Sequence, residues 1–272
     1  MAMLKAIALA FCFGRMLVAA QDYTFIKCSL SPRDRVSHNF PHARMGSNTQ
    51  FSGNWCGYVA QTNLSNPAPY SVTKVSGSWI VPSVLPSAVN TACAIWVGID
   101  GSGSPSVEQI GTSHDVTNGV ANHYAWFEMF PQGSHNLIGF PVEVGDSISA
   151  DVWYVPVSLV PGPGSLFVLK ITNHTKRMYT VVPSILTVDV KRLSAEWIVE
   201  APFLNGTEPL THFSNISLFE CIAEVNGVPG AINNPSWQND SMNMVSPSGA
   251  PKSVASPLSV DGKSFSVIWD SN

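Results

Sequence analysis

Two short stretches decide the fold: Ala125-Trp126-Phe127-Glu128-Met129-Phe130 and Ala195-Glu196-Trp197-Ile198-Val199-Glu200. Both read as strands. In an extended chain alternate side chains share a face, so Glu196, Ile198 and Glu200 point one way and Trp197 and Val199 the other. Glu128 is level with Trp126 and Phe130. A carboxylate set among large apolar side chains has to be paired, hydrogen-bonded or raised in pKa, and such residues are suited to acid–base chemistry. The competing reading is an edge strand whose polar face meets water.

Outward from these stretches the pattern continues. From Phe51 on, the chain is rich in Pro, Gly and Ser, poor in charge and without helical periodicity. Short runs of Val, Ile, Phe, Tyr and Trp are punctuated by turn residues, as in Ser78–Pro82, Ser147–Tyr154, Leu166–Ile171 and Ser264–Trp269. Roughly 220 such residues without an internal repeat or linker make one large all-β sandwich of packed antiparallel sheets. Most of the eight Trp belong in its core, and some line a concave face.

The N-terminus differs. Residues 1–20 read as a secretory signal peptide, with Lys5, an apolar run over Ala6–Phe13 and a Val18-Ala19-Ala20 cleavage site. No apolar run is long enough to span a bilayer, so no membrane partner is expected. Five Asn-x-Ser/Thr acceptors, at Asn63, Asn173, Asn205, Asn215 and Asn239, fit an exported glycoprotein with those loops at the surface. Cys28, Cys56, Cys93 and Cys221 remain beyond the signal peptide; an oxidising compartment permits disulfides, but spacing does not fix their pairing.

Residues 21–46 carry Lys27, Arg33, Arg35 and Arg44 against Asp22 and Asp34, and read as a basic propeptide. Of 14 Lys/Arg and 18 Asp/Glu, residues 47–272 keep eight and 16, so the remaining domain is acidic and unsuited to nucleic acid. A basic strip over such a domain would loosen as carboxylates protonate, holding an inhibitor in place until acid is reached.

Several chemistries are excluded by missing signatures. There is no His-Glu-x-x-His, no Asp-Thr/Ser-Gly pair, no Gly-x-Ser-x-Gly and no zinc-like spacing. His114, His123, His135, His174 and His212 stand in polar or loop-like contexts and read as surface residues, and Cys56 and Cys93 as small hydrophobes or disulfide partners. What remains is carboxylates with a neutral partner. Gln109, in Val107-Glu108-Gln109-Ile110-Gly111, sits where a strand meets a glycine; its amide donates at any pH and suits an oxyanion in an acid enzyme.

In order, Asn54-Trp55-Cys56-Gly57, Trp96-Val97-Gly98-Ile99-Asp100-Gly101, Gln109-Ile110-Gly111, Ala125–Pro131 and Ala195–Glu200 resemble the motifs of the eqolisins, or peptidase G1 family, secreted fungal glutamic endopeptidases. The resemblance implies a concanavalin-like sandwich of two antiparallel sheets of about seven strands each. It implies a Gln109/Glu200 catalytic pair that activates a water, with Trp55, Trp96, Asp100 and Glu128 lining or supporting the cleft. It further implies a monomer acting on polypeptides, inhibited by its own propeptide, with no metal or organic cofactor. Two positions depart from the family pattern: Ser113 and Tyr124 stand where relatives carry Asp. Two rival readings come from other classes. A sandwich glycoside hydrolase would use Glu128 and Glu200 as its carboxylate pair, and a lectin-like module would be catalytically silent.

Overall fold

The computed structural model describes residues 23–34, 43–44, 49–156, 164–203 and 206–271. The signal peptide, Arg35 of the basic stretch and Asn205 lie outside the described residues. Every regular element within them is a strand.

A front layer runs β2 (Ser29–Arg33), β10 (Ser134–Ile138), β9 (Val120–Phe130), β8 (Val107–Thr117), β7 (Ala94–Asp100), β14 (Ser194–Glu200), β5 (Trp55–Gln61), β17 (Gln238–Val245), β4 (Thr49–Ser52) and β3 (Ala43–Arg44). A back layer runs β1 (Thr24–Phe25), β13 (Met178–Leu186), β12 (Ser165–Asn173), β11 (Ser147–Val155), β6 (Val72–Ile80) and β15 (Ile216–Val225), with β16 (Val228–Ala231) and β19 (Phe265–Trp269) against β15. β18 (Pro251–Ala255) pairs with β17 in front and β19 behind, so one edge of the sandwich is continuous. Only β1–β13 and β4–β17 pair in parallel among the described strands. The layers exceed the seven strands expected, and β1 and β2, from the N-terminal stretch, add one edge strand to each.

Trp79, Ile95, Val97, Ile110, Phe127, Phe167 and Trp197 fill the space between the layers. Two indoles stitch across it: Trp197 Nε1 donates to Ser76 O at 2.8 Å, and Trp79 Nε1 donates to Thr112 Oγ1 at 2.9 Å. Each fully buried large apolar side chain contributes about 1.5–3 kcal/mol, so this cluster dominates cohesion. The front layer is also apolar on its other face, where Trp55, Val59, Ala94, Trp96, Val107, Trp126, Ile198 and Met242 form a second cluster. That is why β14 is buried on both faces.

Three expectations need correction. β14 is not an edge strand: it lies between β5 and β7 and all seven of its residues are buried. Asn173 is not a surface acceptor. It is fully buried, its Nδ2 donating to Asp146 Oδ2 at 2.7 Å and to Pro141 O at 3.1 Å, whereas Asn63 and Asn215 are exposed and Asn239 is half-buried in β17. Burial of the amide in two hydrogen bonds leaves no nitrogen for a glycan. His114 is not a surface residue either; it is buried on the interior face of β8, because Thr112 and the half-buried His123 supply polar partners there. Cys28, Cys56, Cys93 and Cys221 are free thiols.

Candidate active site

Strand register on the outer face of the front layer aligns the expected residues in cross-strand rows. One row is Glu196, Gly98, Gln109, Glu128 and Ser134; the next is Ile198, Trp96, Gly111, Trp126 and Asn136; a third is Glu200, Ala94, Ser113 and Tyr124. Trp55 on β5 stands opposite Glu200. Rows lie two residues apart along each strand, about 6.6 Å, so long side chains reach from one to another.

Glu200 is 1% exposed. Its Oε2 accepts from Trp96 Nε1 at 2.8 Å and its Oε1 from Asn54 Nδ2 at 3.2 Å. Asn54 is itself fixed by a tight turn in which Ser52 Oγ donates to Asn54 Oδ1 and accepts from the backbone N–H groups of Asn54 and Trp55. The Trp96 indole crosses the row. Its Cζ3 lies 2.9 Å from where a Cβ on Gly98 would stand, and Gln109 Cβ lies 3.1 Å from the same point. Gly98 is therefore required by the indole, whose nitrogen end holds Glu200 and whose far end lies over Gly98, on the side of Gln109. Trp55 packs edge-on against Trp96, ring centroids 4.9 Å apart.

Gln109 donates from Nε2 to Glu128 Oε2 at 2.7 Å, directly across the β8–β9 ladder. Its Oε1 has no hydrogen-bond partner although it is fully buried. A buried acceptor left so is costly, and the amide keeps a second N–H to offer. Asp100 acts at one remove. Positioned by a left-handed backbone (φ 67°), it accepts the N–H groups of Arg192 at 2.6 Å and Leu193 at 2.7 Å, and so fixes the entry into β14. Burial raises its pKa against those bonds. Thus Glu200, Gln109, Glu128, Trp55 and Trp96 gather on one face, with Asp100 supporting from the strand end.

Four sets of contacts were not legible in the sequence. Asn54 lies inside a quoted motif, but only the Ser52 turn reveals its hold on Glu200. Glu196 shares the face of Glu200; its Oε1 accepts from Ser102 N at 2.8 Å and Ser194 Oγ at 2.9 Å, and burial raises its pKa well above the usual carboxylate range. Asp115, two residues beyond Ser113 on the same face of β8, accepts the Tyr124 hydroxyl at 2.6 Å, placing a carboxylate beside the two positions where Asp was absent. Arg33 is the fourth. Its guanidinium reaches over the site face, 4.4 Å from the Trp126 ring centroid and 5.8 Å from that of Tyr124, and donates to Ser113 Oγ at 2.8 Å. The expected carboxylate partner is missing, since Arg33 makes no ion pair with any described carboxylate; it is held by a hydroxyl and two rings instead.

The fold resembles solved structures of one kind. A scytalido-glutamic peptidase bound to a transition-state analog inhibitor superposes with TM-score 0.63 at 21% identity, covering 80% of this chain and 98% of that one. SCP-B, an eqolisin in complex with the tripeptide Ala-Ile-His, gives 0.58 at 20% identity over 80% and 98%. Aspergilloglutamic peptidase from Aspergillus niger gives 0.54 at 20%, over 66% and 99%. No curated protein sequence is matched. The model of the Peptidase A4 family matches residues 53–261. Covering well over half of the sequence and every motif from Trp55 to Glu200, that match bears out the resemblance: the chain belongs to the Peptidase A4 family.

Proposed function

We propose that this protein is an exported acid endopeptidase in which Glu200 and Gln109 activate a water against a peptide bond. The observation that carries the reading is the placing of these two side chains at opposite ends of the Trp96 indole, Glu200 fixed by Trp96 and Asn54 and Gln109 by Glu128. Glu200, as carboxylate, takes a proton from water while the water oxygen bonds to the carbonyl carbon. The Gln109 amide donates to the resulting oxyanion. Protonated Glu200 then passes its proton to the amide nitrogen, the C–N bond breaks, and an acid and an amine leave with Glu200 again ionised. The mechanism requires no metal or organic cofactor, and a monomer suffices because every named residue comes from one chain.

In this reading residues 1–20 direct export and 21–46 form an inhibitory propeptide. Support comes from β1 and β2, which pair with opposite layers, and from the Arg33 guanidinium of β2, which lies over the site face against Ser113 and Trp126.

The test is hydrolysis of a denatured protein at acid pH, with a chelator and pepstatin present. Glu200→Gln should fold and lose about 10²-fold or more of kcat, the usual contribution of a positioned base. Gln109→Ala should lower kcat far more than it raises KM. Most activity retained in Glu200→Gln, or hydrolysis of polysaccharide that ignores Gln109→Ala, would overturn the assignment.

A further inference from the structure

We propose that Ser113, Tyr124 and Trp126 form a subsite for a guanidinium group, filled in the uncut chain by its own Arg33 and open to an arginine side chain of a peptide once that segment is gone. This deepens the peptidase reading by naming a substrate preference, and in that respect rests on it. The geometry itself is independent of catalysis.

Three observations carry it. The Arg33 side chain is buried, 8% exposed, though it comes from the outermost strand of the front layer. It crosses β10 to cover Trp126 at 4.4 Å and ends on Ser113 of β8, which shares the cross-strand row of Glu200. A cation over an indole face is drawn to the ring's negative quadrupole, and a planar guanidinium stacks there better than an ammonium. Second, the strand is aligned for delivery: β2 is antiparallel to β10 over five residue pairs, and Ser134 Oγ donates to Arg33 O at 3.4 Å beside the point where the side chain turns in. Third, the walls are those of a reusable site rather than a salt bridge. Tyr124 is set by its bond to Asp115, and Ser113 by the β7–β8–β9 register, so the surface does not depend on Arg33 for its shape. Arg33 Nε finds no partner, leaving one donor that a peptide carbonyl could satisfy when a different backbone presents the guanidinium.

The test reads binding, not turnover. The full chain is prepared as Glu200→Gln to keep it intact, with Arg33 kept or changed to Ala, and a third form carrying Arg33→Met retains the apolar stem in case Ala disturbs β2. N-acetyl-arginine amide and its uncharged isostere N-acetyl-citrulline amide are titrated while the Trp126 indole N–H is followed by NMR, assigned through Trp126→Phe. A saturable shift with the arginine amide in the Arg33 variants, at least tenfold weaker when Arg33 is present and reduced again by Ser113→Ala, is expected. Equal shifts from citrulline, equal affinity with Arg33 in place, or no shift in either Arg33 variant would overturn the proposal. Failure of the peptidase reading would show separately, as absence of hydrolysis by the chain with Glu200 intact.

Discussion

Gln109 Nε2 donates to Glu128 Oε2 at 2.7 Å across adjacent strands, so the orientation of the Gln109 amide is imposed by its neighbour. With Glu128 accepting one N–H, the remaining N–H and Oε1 are what the amide can present to a water or an oxyanion. A Gln at position 128 can donate as well as accept and no longer dictates which way the amide faces. Glu128→Gln should therefore lower kcat about tenfold or more with little change in KM, measured on a peptide substrate in acid. An effect confined to KM would place Glu128 in substrate binding.

Trp96 donates to the ionised form of Glu200 and thereby favours it. Trp96→Phe removes that donor while keeping most of the ring, so the proton affinity of Glu200 should rise. The acid limb of the kcat profile should move to higher pH, and thermal stability should fall modestly. A profile that stays in place would mean that the indole serves packing alone.

Buried ionisable groups set opposing pH dependences. Burial raises Glu108 well above the usual carboxylate range, with the Asp100 charge adding to it, and burial likewise raises Glu196. As pH climbs through about 4.5 the unfolded chain ionises while the folded one keeps its protons, so stability present in acid is lost as pH rises through the folded values. His114 runs the other way. Burial, and then His123, hold its pKa well below 6.5, so stability present above about 6.5 is lost as pH falls toward the folded value. Each tenfold difference in proton affinity is worth about 1.4 kcal/mol. Glu108→Gln should raise the melting temperature at neutral pH and leave it nearly unchanged at pH 4, whereas His114→Gln should help only below about pH 6. Parallel shifts at all pH values would refute this partition.

Removal of the N-terminal segment should require a cut. Acid cannot weaken the Arg33 contact by discharging carboxylates, because its partners are the Ser113 hydroxyl and the Trp126 and Tyr124 rings. Incubation of the full chain in acid should shorten it by the mass of residues preceding about Ser47 as activity appears, and Glu200→Gln should stay long if the cut is its own work. Full activity of the uncut chain would rule the covering role out.

The fold was legible because strand chemistry is local: alternation in Glu196–Glu200 and the turn residues between short apolar runs announced packed sheets before any contact was known. Gln109, Glu128 and Glu200 were legible for a related reason, being polar side chains in runs that otherwise bury. What stayed hidden depends on pairing between distant segments. Nothing near residue 33 shows that its guanidinium will rest on Trp126, since register between β2 and β10 decides it. Nor does the sequence near 173 reveal Asp146 and Pro141 closing over the amide of Asn173. His114 misled because Trp79, which donates to its partner Thr112, comes from the opposite layer.

The four thiols carry a last consequence. Cys56, Cys93 and Cys221 are fully buried, and burial pushes the Cys56 thiol up to about 12 and the other two upward as well. Thiolate, the nucleophile that reacts with oxidants and attacks disulfides, is therefore scarce at all three. Cys28 is only partly covered and sits between β1 and β2. Trimming the chain before Ser47 would discard the one partly exposed thiol among the described residues, so the thiols left in the shortened protein would respond little to the redox state of its surroundings.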